Sequence, residues 1–396
     1  MRNKFFRLAV VAVVLSVTIC GCQKAPESTA NGGIQHAKGA EEDQVEKIVE
    51  AGGAASGVEN DMQEINCTIG TSENAIRIQA QMPDVPTNAY TMVLQENDSL
   101  TKELLIDFLE SDSGNITDLS EKAQKEVEQY KTDNKQGEEY AVYSVFGTDS
   151  IYEVSDGQKV ASFTNGTSAY YGDENLKEKC SAIYKSGNMT VWREAEIAEA
   201  TGDSEFTVKE AENILMKKLL KINVTEIHVY EIGMYQKDDV MFYEIAFTPS
   251  YEGMGVAHEF GSISDGEIQP QGMAWVCEDG VAEVRLSACM GKVEQQEKCG
   301  ALLSWGQVEK ILEVYLNNGK IEGSNSKQGV LENVEFLYYP VFDEEKNKLE
   351  LIPVCHICTP ISMWIEDEDL SEQFGTNGAA WNIYINAVSG EIVRVE

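Results

Sequence analysis

The sequence predicts an α+β protein, with an N-terminal α+β unit followed by two tandem modules, each a helix with an antiparallel sheet. Three observations predict it. Short stretches alternate apolar and polar residues at the strand period of two, and they are interleaved with stripes at helical spacing. The order helix, two strands, Ala-Trp hairpin occurs twice, starting at Thr207 and at Ser304. At 396 residues the chain also exceeds the ~250–300 at which one core usually splits.

The first stretch reads as an address. Arg2, Lys4 and Arg7 precede an apolar run, 8–19, that ends in Ile19-Cys20-Gly21-Cys22. A basic start, a short apolar core and a small residue before the cut describe a secretory signal. The run falls well short of the ~20 apolar residues that span a bilayer, so it is not a lasting anchor. The tetrapeptide has the form of a bacterial lipobox, with Cys20 at minus two as a departure. Gly21 gives a peptidase access, and the Cys22 thiol can take a diacylglyceryl thioether. Each buried methylene adds roughly 0.8 kcal/mol, and two chains hold stably where one holds marginally. Lipid on Cys22 would place the chain on the extracytoplasmic face of the cell membrane. The competing reading is an ordinary cleaved signal that releases a soluble protein.

The expected division is signal 1–21, flexible tether 22–60, N-terminal α+β domain 61–200, first module 201–297 and second module 298–396. The tether is small and polar, with a short helix at 43–51 and a glycine-rich end, Gly52 to Gly57. Residues 64–69 and 74–82 alternate as strands. Pro83-Asp84-Val85-Pro86 breaks the pattern before a strand at 89–94. Leu104, Leu105, Phe108 and Leu109 stripe a helix at 101–110. Leu119, Ala123, Val127 and Tyr130 stripe the next. Aromatic strands follow at 140–146, 151–154, 160–164 and 167–171.

The first module opens on Thr207 and Glu210, the capping-box spacing that satisfies free N–H groups at a helix start. Val208, Ala211, Leu215, Leu219 and Ile222 form its stripe. Strands at 226–232 and 240–248, a loop at 249–255 and a hairpin turning at Asp279-Gly280 complete it. The second module repeats this with Ser304 and Gln307, the stripe Val308, Ile311, Leu312 and Tyr315, strands at 334–339 and 349–358, and a hairpin turning at Ser389-Gly390. The repetition reads as an internal duplication.

Composition narrows the function. With 42% hydrophobic and 25% charged residues the body is ordinary globular material. A net charge of −36 repels phosphate backbones, which excludes nucleic acid as a partner. The charge serves solubility at a crowded surface, or attracts cations or a basic partner. Beyond Cys20 and Cys22, seven cysteines remain: Cys67, Cys180, Cys277, Cys289, Cys299, Cys355 and Cys358. An odd number cannot pair completely within one chain, and the irregular spacing argues against a disulfide scaffold.

The lipobox, Ala80-Gln81-Met82-Pro83-Asp84-Val85-Pro86, Phe242-Tyr243-Glu244-Ile245, Tyr251-Glu252-Gly253, and the ending from Ala380-Trp381 to Glu391-Ile392 carry a resemblance. The chain resembles a clostridial-type lipoprotein family defined by a domain of unknown function. Its two C-terminal units, with Gly390-Glu391-Ile392 at the last turn, are similar to PepSY and YycH-type extracytoplasmic modules. That resemblance implies regulation or inhibition of other envelope proteins, and it supplies no catalytic residue.

The motifs that could carry chemistry are few. Cys355-His356-Ile357-Cys358 has the spacing of a redox pair or half a zinc site. It follows a strand-like run, which sends the two thiols to opposite faces, and no second ligand pair exists in the sequence. Asp343-Glu344-Glu345 and Glu366-Asp367-Glu368-Asp369 lack the spacing and glycine bend of a calcium loop. His258-Glu259 lacks the second histidine of a zinc protease, and Gly253-Met254-Gly255 lacks the lysine of a phosphate loop. Ser99-Leu100-Thr101-Lys102 has the Ser-x-x-Lys form without its partner motifs. Tyr170-Tyr171 and Tyr338-Tyr339 suit strand cores or a ligand groove. No enzyme activity, cofactor or metal is expected. The expected role is a membrane-tethered module that engages an envelope protein or peptide; the alternative is a small-ligand or cation-binding surface lipoprotein.

Overall fold

A computed structural model of the chain describes residues 40–52, 64–71, 74–83, 85–95, 97–111, 114–133, 151–164, 168–193, 197, 206–238, 240–257, 271–287, 291–321, 331–343, 348–358 and 382–395. The fold is α+β, with every named strand pair antiparallel. Cys22 and the expected signal at 1–21 lie outside the described residues, as does the strand expected at 140–146.

The elements begin with α1 (Ala40–Gly52), the hairpin β1 (Glu64–Thr71) and β2 (Asn74–Gln81), then β3 (Tyr90–Gln95) and α2 (Lys102–Leu109). Next come β4 (Thr117–Asp118), α3 (Ser120–Asp133), β5 (Ile151–Ser155), β6 (Lys159–Thr164), β7 (Ser168–Asp173), α4 (Glu174–Tyr184) and β8 (Asn188–Arg193). The first module supplies α5 (Val208–Leu219), β9 (Ile227–Lys237), β10 (Val240–Tyr251), β11 (Met254–Gly255), β12 (Gln271–Cys277) and β13 (Gly280–Ser287). After β14 (Lys292–Lys298), the second supplies α6 (Trp305–Asn317), β15 (Asn333–Asp343), β16 (Lys348–Cys358), β17 (Asn382–Asn386) and β18 (Ile392–Val395).

Three sheets hold these strands, the smallest being the β1–β2 hairpin alone. Of the other two, the larger runs β4-β5-β6-β7-β13-β12-β10-β9-β8, with β11 folded back on β10. The smaller runs β14-β3-β16-β17-β18, with β15 on the other edge of β16. In each module a capped helix precedes four strands that pair in chain order: β9-β10-β12-β13 and β15-β16-β17-β18. The same order of helix and antiparallel strands thus occurs in both stretches.

Both capping boxes form. Thr207 N–H donates to Glu210 Oε2 at 2.8 Å, and Glu210 N–H returns to Thr207 Oγ1 at 3.3 Å. Ser304 N–H donates to Gln307 Oε1 at 3.0 Å. The buried stripe of α5 (Val208, Ala211, Leu215, Leu219) joins Leu105, Phe108 and Leu109 of α2 against one face of the larger sheet. The stripe of α6 (Val308, Ile311, Leu312, Tyr315) packs on the smaller sheet and on the β1–β2 hairpin. Each such side chain contributes about 1.5–3 kcal/mol on burial.

The structure departs from the sequence reading in four places. Residues 40–52, expected within a free tether, are docked: Val45 is buried against the α6 cluster, and Gln307 Nε2 donates to the Ile48 and Val49 carbonyls at 3.2 and 3.3 Å. The N3 residue of one helix thus reaches two carbonyls near the C-terminal end of another. Second, the strands of 61–200 do not share one sheet. β3 lies between β14 and β16, while β4 to β8 belong to the larger sheet. β13 is the reason: Val281, Ala282, Val284 and Leu286 bury both its faces, so it is a central strand that needs a neighbour on each edge, and β7 fills one. Third, α4, β8 and β14 have no counterpart in the sequence reading; α4 starts on Asp173, whose carboxylate accepts from the Asn175 and Leu176 N–H groups. Fourth, the expected loop at 249–255 is strand and tight turn, with Glu252 and Gly253 at positive φ between β10 and β11.

Candidate functional site

Strand alternation decides what Cys355-His356-Ile357-Cys358 becomes. Cys355 and Ile357 point into the core beneath α6. His356 and Cys358 point to the opposite face, as the two-residue period requires. The two thiols therefore cannot work as a redox pair or as one pair of zinc ligands.

On that opposite face a polar cluster assembles around His356. Register places Glu335 of β15 and Tyr384 of β17 directly opposite it, with Asn333 and Asn382 opposite Cys358. His356 Nδ1 lies 3.1 Å from Glu335 Oε1, and Nε2 lies 3.0 Å from Asn382 Oδ1. The Tyr384 ring stacks on the imidazole, 4.3 Å between centroids and 3° from parallel. Asn333 Nδ2 also donates to Glu335 Oε1, at 3.1 Å.

Glu335 reaches across to the other sheet. Its Oε2 lies 3.6 Å from Nε2 of His228, on β9. The chain His356–Glu335–His228 is thus an electrostatic link between the two sheets. The backbone joins them at the same place, where Val256 bridges Tyr338 and Ala257 N–H donates to the Tyr338 carbonyl at 2.7 Å. His228 is seated there by Gly255: a Cβ at Gly255 would lie 2.4 Å from His228 Cγ. Gly255→Ala is therefore expected to displace His228 and cost about 1–3 kcal/mol, read from urea unfolding midpoints. An unchanged midpoint would show that the imidazole has room to move.

Burial works against a charged His356, but the Cys358 thiol and the Glu335 carboxylate beside it outweigh burial and hold its pKa well above the usual histidine range. That direction favours the imidazolium form, in which Nδ1 and Nε2 both carry hydrogens for Glu335 Oε1 and Asn382 Oδ1. Cysteine, histidine and carboxylate meet here.

A second polar cluster lies on the larger sheet. Trp275 Nε1–H donates to Glu244 Oε2 at 2.7 Å, which joins two segments that the sequence presents separately. Burial raises the Glu244 carboxyl to about 7, against the Trp275 bond and Arg285, which lower it. Glu244 Oε1 has no hydrogen-bond partner among the described residues. On β13, Glu283 receives Arg285 Nε at 2.9 Å and Lys177 Nζ at 3.3 Å, and Lys177 also donates to the Tyr170 hydroxyl at 2.7 Å. The local sequence does carry a mark: Glu244 is the one charged residue in the apolar run 241–247, all of which is buried in β10.

The remaining motifs resolve simply. Gly253-Met254-Gly255 is the turn into β11. Ser99 Oγ–H donates to Asn97 Oδ1, and the helix cap is Thr101, whose hydroxyl accepts from Leu104 N–H at 3.3 Å. Asp343 pairs with Lys348 at the end of the β15–β16 hairpin. Tyr171 and Tyr338 are core residues. His258-Glu259, Glu344-Glu345, Glu366 to Asp369, Cys289 and Ala380-Trp381 lie outside the described residues. Among the described residues, no three His, Cys, Asp or Glu side chains converge as metal ligands, and no helix is long and apolar enough to cross a membrane.

No family model matches the chain, and no curated protein matches it. Among solved structures, the chain is similar to an uncharacterized protein from Eubacterium rectale ATCC 33656. The identity is 13%, the match covers 89% of this chain and 99% of the other, and the TM-score is 0.49.

Proposed function

We propose that the protein is a membrane-tethered extracytoplasmic lipoprotein, held by lipid on Cys22, which engages an envelope protein or peptide by strand addition and performs no chemistry of its own. The observation that supports this is the contrast between two edge strands. β14 carries Lys292, Glu294, Glu297 and Lys298 along its edge, with Lys292 paired to Asp98 and Lys348 to Glu294, the charged pattern that blunts an edge. β8 (Asn188-Met189-Thr190-Val191-Trp192-Arg193) has no charge before its last residue, and Met189 is exposed. Such a strand offers a row of backbone donors and acceptors with a grip for apolar side chains. The resemblance to PepSY and YycH-type modules points the same way.

A photo-crosslinking residue at position 189 of the full chain, expressed in its own cells, tests the reading. The expected result is a discrete adduct in the membrane fraction that Thr190→Lys reduces at least tenfold. A crosslinker at exposed Tyr152 gives the background. An identical adduct from position 152, or none from 189, would remove the support for strand addition. Intact mass of the membrane-extracted protein beside Cys22→Ala tests the anchor separately, through a lipid-sized increment that vanishes in the variant.

A further inference from the structure

Cys180 and Cys277 come from different elements, about a hundred residues apart in sequence, and meet in one small apolar cluster with Ile183, Tyr235, Phe242 and Ala282. Cys180 lies on α4, in the stripe Leu176, Cys180, Ile183 that faces the β12–β13 hairpin. Cys277 is the last residue of β12, and its thiol donates to the Gly280 carbonyl at 3.6 Å. Both thiols are buried in that cluster. Beside them Lys179 Nζ pairs with Asp279 at 2.6 Å, so the neighbouring positions of the same helix and the same turn are already in register.

We infer that Cys180 and Cys277 form an intramolecular disulfide, which staples α4 to the β12–β13 hairpin once the protein meets a disulfide oxidant. The inference stands on this geometry and holds whether or not β8 takes a partner strand. The reaction needs an external disulfide, either a small-molecule one or that of a thiol–disulfide oxidoreductase. One of the two protein thiolates attacks one sulfur of that disulfide and releases the first thiol. The other then attacks the protein sulfur of the mixed disulfide and releases the second. Two electrons and two protons pass from the protein thiols to the oxidant.

Cys180 beside it, the backbone N–H of Asp279 and the Lys179 ammonium lower the Cys277 thiol against burial. Cys277, followed by burial, pushes Cys180 up. The two titrate as a pair, and either thiolate can attack first while the other resolves. Both side chains are closed to solvent, so oxidation belongs to folding or to local opening of α4.

The test refolds the full chain in oxidised and reduced glutathione, then maps it by non-reducing digestion. The expected product is a peptide pair linking Cys180 to Cys277, with a melting temperature about 5 °C or more above that of the reduced chain. Cys180→Ala and Cys277→Ala should each abolish the link. Because either variant could misfold, the mapping of the unmutated chain decides. A chain that stays reduced there, that pairs other cysteines, or that melts lower once linked, overturns the inference.

Discussion

Glu244→Gln is expected to stabilise the folded protein by about 3 kcal/mol at pH 8 and by less than about 1 kcal/mol at pH 5. The carboxyl titrates near 7 in the folded chain and near 4.5 when unfolded. Between those values the folded state binds the extra proton, so stability falls as pH rises through the window. Above pH 7 the native state carries a buried anion whose second oxygen finds no partner among the described residues. Glutamine keeps the oxygen that accepts from Trp275 and removes the charge. Urea midpoints of both proteins at pH 5, 6, 7 and 8 measure the effect as two curves that diverge with pH. Parallel curves, or a less stable variant at pH 8, would mean that the carboxylate is welcome where it sits.

Glu335→Ala is expected to cost about 3 kcal/mol near pH 6, because it strands the His356 charge in a buried site. The groups facing the ring are Glu335, Cys358, Asn382 and Tyr384, with His228 behind Glu335. The folded pKa of His356 is raised. Its stabilisation is therefore fully present below the unfolded value of about 6.5 and is lost as pH climbs through the folded one. The cost of the substitution should shrink over the same range. Imidazole resonances of His356 followed by NMR should show its pKa fall in the variant. A pKa that does not move would assign the charge to Cys358 rather than to the carboxylate. Glu244 and His356 act in the same direction, so their joint contribution to stability falls as pH rises from 5, whereas Lys218, which burial lowers to about 8, opposes it at alkaline pH.

Local order was legible in the sequence. The two capping boxes, the stripes of α2, α5 and α6 and the turn at Ser389-Gly390 are short-range signals, and they form as read; the hairpin expected to turn at Asp279-Gly280 turns one residue earlier, at Glu278-Asp279, with Gly280 opening β13. The facing of Cys355 and Cys358 followed from alternation alone. What stayed hidden was pairing between strands far apart in sequence. Nothing in Lys292–Lys298 says that it belongs beside Tyr90–Gln95, because an exposed polar edge has no alternation to display. α4 was missed although Asp173 and the stripe Leu176, Cys180, Ile183 announce a capped helix. The candidate site was half legible. Cys355-His356-Ile357-Cys358 drew notice for its thiols, whereas its consequential member is the histidine between them. Its partners Glu335 and His228 sit on other strands and carry no mark of that role.

The β7–β13 seam sets a timetable. A chain delivered from its N-terminus presents β4 to β7 more than a hundred residues before β13 exists. Through that interval β7 has one edge with nothing to pair with, and β13 cannot bury both its faces until it arrives there. Late closure of this kind slows folding and leaves an open edge that other chains can capture. The protein should therefore depend on whatever guards its nascent chain against such capture. Any interruption of synthesis before residue 280 would leave a first half that is complete in its local structure and still unable to close its sheet.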